Sequence, residues 1–284
     1  MDPLFVSQRK LFHRQLMESV LTVDADGIPS IADRGQKFSK LVSTLLMPKL
    51  GRSSKAHKSP GQHSGHAFEG ICVKFIESCF TRLEHLRQGK WNCCHVTSRR
   101  SGISEFEQYR HLHELKALAL EHPDLATVLG NDYAIAPDII ISREPFEDRE
   151  INQHSHLVDD DVARQTPFRK ANTTNMLLLA SISCKWTLRS DRAQNARSEA
   201  LNLIRNRKGR CPHIMVVTAE PTPSRIASLA LGTGDIDCVY HFALKELREA
   251  IVETNNDEAL QLLDIMIDGK RLRDIADLPL DLLA

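Results

Sequence analysis

Apolar residues recur along this chain in two rhythms, one helical and one of short β-like runs. Leu4, Phe5, Leu11, Phe12, Leu16 and Val20 fall roughly on one helical face, which predicts a packing helix from Leu4 to about Val23. The stretch from Asp24 to His66 is polar and rich in Gly, Ser, Lys and His, interrupted by Phe38 to Leu50, whose spacing suits a helix. After Pro60-Gly61-Gln62, the stripe Phe68, Ile71, Cys72, Phe75, Ile76, Cys79, Phe80 and Leu83 predicts another helix. That reading puts Glu69 in its first turn, where a carboxylate ordinarily serves the helix dipole. Trp91 to Val96 reads as a short strand. Ile103 to His122 reads as an amphipathic helix ending before Pro123, followed by a short helix from Asp124 to Leu129.

Strand patterns dominate the second half. Tyr133 to Ile141 is β-like, with Asp138 set among apolar residues after Pro137, and an aspartate so placed needs a counter-ion, a metal or a hydrogen-bond network. Ser142 to Asn175 is polar and irregular, and Asp159-Asp160-Asp161 reads as solvated surface. Met176 to Leu188 is a longer apolar run passing directly into helical spacing at Ala193, Ala196, Leu201 and Ile204. Strand alternation puts Ser183, Lys185 and Thr187 on one face and Ile182, Cys184 and Trp186 on the other. Asp191 is placed to cap the helix, beside Arg189 and Arg192. Ile214 to Thr218 and Ile236 to Phe242 are further strands. Between them Pro223 to Leu231 reads as a helix with Thr222 as its cap, and the chain beyond Ala243 as amphipathic helix broken at Gly269. Gly232-Thr233-Gly234-Asp235 precedes a strand instead of opening a helix, so it is a turn and not a phosphate loop.

Helices early and alternating strands and helices later define an α/β fold with a mixed central sheet flanked by helices. With 284 residues, the expectation is one domain, 1–284, in which 1–66 supply an N-terminal helix and loops and 67–284 the core.

Composition adds boundaries. Basic and acidic residues balance at 37 each, so any nucleic-acid site must be local. Arg52 to Lys58 is strongly basic, either a solvated loop or an arm for phosphate. No apolar run approaches a membrane span and no signal-peptide pattern begins the chain, which predicts a soluble, intracellular protein without membrane partners. The seven cysteines contain no Cys-x-x-Cys pair and read as reduced core residues. The histidine doublets His111/His113 and His154/His156 carry no metal motif.

Asp138, Ser183, Lys185 and Glu199 together supply two carboxylates, a hydroxyl and an ammonium. Each taken singly has an ordinary structural explanation. Together they suit Mg²⁺-dependent phosphodiester hydrolysis, because Mg²⁺ takes carboxylate oxygens and can activate water and polarise a phosphoryl oxygen. Arg189, Asp191 and Arg192 have the chemistry for a G·C-rich major groove, since arginine pairs with guanine O6 and N7 and a carboxylate accepts from cytosine N4.

The chain also resembles type II restriction endonucleases of the PD-(D/E)xK superfamily, in the branch that recognises a CCGG core. The resemblance is carried by Pro60-Gly61-Gln62, Ser64-Gly65, Ala67-Phe68-Glu69, Pro137-Asp138, Ser181 to Thr187, Arg189 to Glu199, Val217 to Arg225 and Ile236 to Phe242. It implies a restriction-endonuclease-like fold and cleavage of double-stranded DNA within GCCGGC, after the first guanine. Asp138 would be the central Mg²⁺ ligand and Lys185 the catalytic lysine. The superfamily's acid two residues before the lysine is Ser183 here, and the branch takes the missing carboxylate from the next helix, which nominates Glu199. Glu69 would complete the acidic cluster, and the Cys184 backbone carbonyl would join Asp138, Glu69 and Glu199 as a ligand of two Mg²⁺ ions. Arg189, Asp191 and Arg192 match the CCGG readers, Arg225 and Asp33 the readers of the outer pair, and Gln62 the minor-groove residue. Such enzymes act as homodimers or homotetramers in the bacterial cytoplasm, beside a methyltransferase for the same site. The competing readings are a structure-specific nuclease or resolvase without base readers, and a non-catalytic DNA-binding protein of the same fold.

Overall fold

A computed structural model describes residues 2–51, 61–96, 102–122, 124, 127, 137–232 and 234–284, with the backbone alone at 61–63. Its centre is a six-stranded sheet whose strands lie side by side in chain order. The strands are β1 (Trp91–His95), β2 (Ile139–Arg143), β3 (Leu177–Lys185), β4 (His213–Thr218), β5 (Cys238–His241) and β6 (Leu272–Asp274). β1, β2 and β3 pair antiparallel, while β3 to β6 run parallel, so the expected mixed sheet is present.

The parallel half needs crossovers, and helices supply them. α5 (Ser190–Asn206) joins β3 to β4, and α6 (Pro223–Ala230) joins β4 to β5. α7 (Leu244–Glu253) and α8 (Asp257–Asp268) join β5 to β6. The N-terminal helices α1 (Leu4–Ser19), α2 (Lys37–Leu50) and α3 (Gly61–Phe80) precede the sheet, and α4 (His111–Glu121) lies between β1 and β2. The α3 stripe from Phe68 to Phe80 is buried as its spacing requires, with Leu83 in the 3₁₀ turn that follows, in a cluster that also holds the inner residues of β2 to β5. Burial at roughly 25 cal/mol per Å² makes this shared core the main force holding helices to sheet.

Several expectations are corrected. α3 begins at Gly61, so Glu69 lies in the middle of the helix, not in its first turn, and a dipole role is removed. The amphipathic helix expected over 103–122 is broken into two 3₁₀ turns and α4. The break follows from Phe106, which is extended at φ −91° and ψ 146°, and from docking to β3: Gln108 Nε2 donates to the Leu178 carbonyl at 2.7 Å, and Leu178 N donates to Gln108 Oε1 at 3.0 Å. Asp138 stands immediately before β2, with residues 133–136 of the expected strand outside the described residues. The same holds for the Arg52–Lys58 segment, for most of the 124–129 helix and for Thr233 of the predicted turn. β6 forms where helix alone was expected.

Asp191 does not cap α5. The helix starts two residues earlier than that cap requires, at Ser190, with Arg189 at the cap position and no side-chain cap bond. Thr222 occupies the α6 cap position ahead of Pro223 but likewise makes no side-chain cap bond. Among the described residues no helix is long and apolar enough to cross a membrane.

Candidate active site and DNA-reading face

The site is built at the carboxyl end of β3. Asp138, placed at the start of the neighbouring strand, turns its carboxylate across to β3. There Oδ2 accepts the Cys184 backbone N–H at 2.7 Å, the Lys185 ammonium at 3.2 Å and the Ser183 hydroxyl at 3.4 Å. Ser183 Oγ also lies 3.3 Å from Glu199 Oε2, so strand and helix carboxylates meet at one hydroxyl. The β3 end is itself fastened, because Thr218 Oγ1 of β4 donates to the Lys185 carbonyl at 2.7 Å. The structure thus gathers Asp138, Ser183, Lys185 and Glu199, with Asp138 coming from 45 residues before Ser183 in sequence. Cys184 brings its main chain into the same cluster, while its thiol is buried on the other face of β3.

Lys185 is 16% exposed, and burial alone would lower its pKa. The negative charges of Asp138 and Glu199 and the Asp138 hydrogen bond outweigh that effect and hold the pKa above the usual lysine value. The ammonium therefore stays protonated at neutral pH. It can stabilise developing negative charge or orient a water, and as found it is not a base.

Glu69 is drawn elsewhere. Its Oε2 lies 3.0 Å from His66 Nδ1 and 3.0 Å from His95 Nε2. His95 closes β1 opposite Ile139, and Val96 N donates to the Asp138 carbonyl at 3.0 Å, so Glu69 reaches the strand end beside Asp138. Phe68, its neighbour on α3, packs edge-on against Trp186 with ring centroids 5.0 Å apart.

Beyond Trp186 the chain turns outward. Arg189 and Asp191 are exposed, and Arg192 donates to Thr187 Oγ1 at 3.1 Å. Arg189 and Arg192 line a concavity of about 430 Å³ with Asp33, Arg34, Thr187 and Ser64. Ser64 lies two residues along α3 from Gln62, whose side chain lies outside the described residues. Arg225 on α6 donates from Nη2 to Asp33 Oδ2, joining residues 192 apart in sequence. Arg225 and the Gly35 N–H hold the Asp33 carboxyl below its usual pKa, with Arg189 adding a smaller effect.

One residue here was not singled out from sequence. Glu220 is almost fully buried, and its carboxylate accepts the Leu188 N–H at 2.8 Å and the Thr222 N–H at 3.1 Å. Burial raises its pKa against these bonds and against Arg225, whose Nη1 is 3.8 Å away. It ties the segment leading to Arg189 to the segment leading to Arg225. The only sequence signal for it was an acid in an apolar stretch, Val217 to Glu220, the kind of signal that exposed Asp138. His66 and His95 were also missed, although His66 stands three residues before Glu69 on one helical face.

A mixed sheet with this polar cluster at a strand end, leading straight into an exposed Arg-Ser-Asp-Arg helix entrance, is the arrangement of a restriction endonuclease. The chain belongs to the NgoMIV restriction enzyme family, whose family model matches residues 12–284. It is 52% identical over 284 residues to the type II restriction enzyme NgoMIV of Neisseria gonorrhoeae, a match covering 99% of both chains. It is accordingly a type II restriction endonuclease, and DNA is its substrate.

Proposed function

We propose that this enzyme, as one domain over 1–284, hydrolyses double-stranded DNA within GCCGGC. In this reading it needs Mg²⁺ and cuts after the first guanine to leave 5′ CCGG ends. The observation that carries the reading is the direct joining of the Asp138–Ser183–Lys185–Glu199 cluster to Arg189, Asp191 and Arg192 through the 186–188 turn.

The donors suit a hard cation. Among the described residues the hydrogen bonds to the Asp138 carboxylate all fall on Oδ2, which leaves Oδ1 for a metal. Asp138, the Cys184 carbonyl and Glu199 would hold Mg²⁺, and Glu69 would serve a second ion. A bound Mg²⁺ polarises the phosphoryl oxygen and acidifies water. Lys185, kept cationic by its carboxylate neighbours, stabilises charge on the phosphate or orients the attacking water. Ser183 stands where the superfamily carries an acid and links the strand and helix carboxylates.

For recognition, Arg189 and Arg192 would pair with guanines of the CCGG core and Asp191 would accept from cytosine. Arg225 and Asp33 would read the outer pair, and Gln62 would enter the minor groove. A palindromic target calls for a two-fold symmetric dimer, and pairing of dimers gives a tetramer that engages two sites. A methyltransferase for the same sequence would protect the host, placing both proteins in the bacterial cytoplasm.

Digestion of a sequenced plasmid with and without Mg²⁺, followed by end-mapping, tests reaction, site and cut position together. Ends at GCCGGC that require Mg²⁺ are expected. Cleavage at unrelated sequences would sink the proposed specificity.

A further inference from the structure

His66, Glu69 and His95 bring two imidazole nitrogens and a carboxylate oxygen together, with all three donor atoms within 4.8 Å of one another. Both nitrogens already lie 3.0 Å from Glu69 Oε2. Around an ion at about 2.0–2.1 Å, tetrahedral donors sit about 3.3 Å apart, so these separations are a few tenths of an ångström from those of a bound site. Two ligands share one face of α3 and the third ends β1, so regular backbone holds all three. Glu69 and His95 are 14% and 21% exposed, whereas His66 is 80% exposed and can close over an entering ion.

Nitrogen donors change the preferred metal. Mg²⁺ favours carboxylate and water oxygens, while imidazole suits Zn²⁺, Co²⁺ and their neighbours. We propose that His66, Glu69 and His95 form a transition-metal site, distinct in metal preference from the cleavage centre, that takes Zn²⁺ and shares the Glu69 carboxylate with that centre. The sharing rests on the Mg²⁺ role proposed for Glu69; the binding does not. Water completes the coordination of a site with three protein ligands. Occupancy by Zn²⁺ withdraws Glu69 from Mg²⁺ and couples the two sites by competition for one carboxylate.

Titration of the full-length, DNA-free protein with Zn²⁺, followed calorimetrically under reducing conditions and with Co²⁺ absorption as a spectroscopic probe, tests this. One Zn²⁺ per chain is expected, retained in Asp138→Asn. His66→Gln and His95→Gln should each weaken binding by at least about tenfold. The Co²⁺ spectrum should lack thiolate charge-transfer absorption. Circular dichroism checks each fold, and the surface position of His66 keeps the test open if His95→Gln fails to fold. Undiminished binding in either folded histidine variant, loss of binding in Asp138→Asn, a thiolate spectrum, or no uptake by the wild type would each overturn the proposal. Failure to cut DNA in Mg²⁺ would count against the cleavage reading and leave these binding results unmoved.

Discussion

Asp138, Ser183, Lys185 and Glu199 are bonded to one another, whereas Arg189 and Asp191, across one short turn, stand exposed to solvent. The first group is arranged before any substrate arrives, which is how charged groups act on a transition state without reorganising. In the proposed reading the second group must remain open, because base edges are reached only by side chains that project from the surface. On that reading, burial serves chemistry at one end of the segment and exposure serves base recognition at the other. Glu220 and Trp186 hold the junction rigid between them.

The sharpest way to break that contrast is to remove the pre-arranged group. Lys185→Ala and Asp138→Ala should each lower plasmid cleavage by at least about a thousandfold, the scale of several kcal/mol of lost transition-state stabilisation. Lys185→Ala should still bind its target in Ca²⁺ by gel shift. Cutting at the wild-type rate by both would remove the assigned centre.

A second test concerns the floor beneath the reading half. His241, at the end of β5, is fully buried and burial lowers its pKa from 6.5 to about 4. Between those values the unfolded chain takes up a proton that the folded chain refuses, so stability is full at neutral pH and falls as pH drops from 6.5 towards 4. The loss reaches up to roughly 3 kcal/mol. Thermal melts should show it, and a melting temperature flat from pH 7 to 5 would contradict it.

Arg192→Ala should cost about 1–3 kcal/mol on GCCGGC duplex and far less on a scrambled duplex. Equal losses in fluorescence anisotropy would make Arg192 a phosphate contact. The smallest effect is expected for Glu220→Gln, which keeps one acceptor and loses one charge-assisted bond, at about 1–2 kcal/mol of stability. Its cognate-to-scrambled binding ratio should fall several-fold while cleavage by the bound enzyme is unchanged. An unchanged ratio would leave Glu220 as a purely structural residue.

The legible parts were those written in local pattern. β3 and β4 are largely apolar runs, the α3 stripe repeats at helical spacing, and Asp138 drew attention as a charge within a β pattern. What escaped depends on partners distant in the chain. β6 has three residues and no alternation of its own, so only its pairing with β5 makes it a strand. The break before α4 depends on Gln108 meeting Leu178. The Glu69 carboxylate took one histidine partner from its own helix at helical spacing and the other, His95, from β1, which no periodicity announces. The Asp191 cap failed by two residues, within the usual margin at a helix end.

The Arg225–Asp33 pair also constrains how such an enzyme can change over generations. Losing either side chain removes the direct tie between the Asp33 loop and the α6 entrance and so disturbs both together. A lineage altering this corner must therefore pass through a weakened ancestor or acquire two substitutions at once. If this pair reads the outer base pair as proposed, change there is expected as rare paired steps.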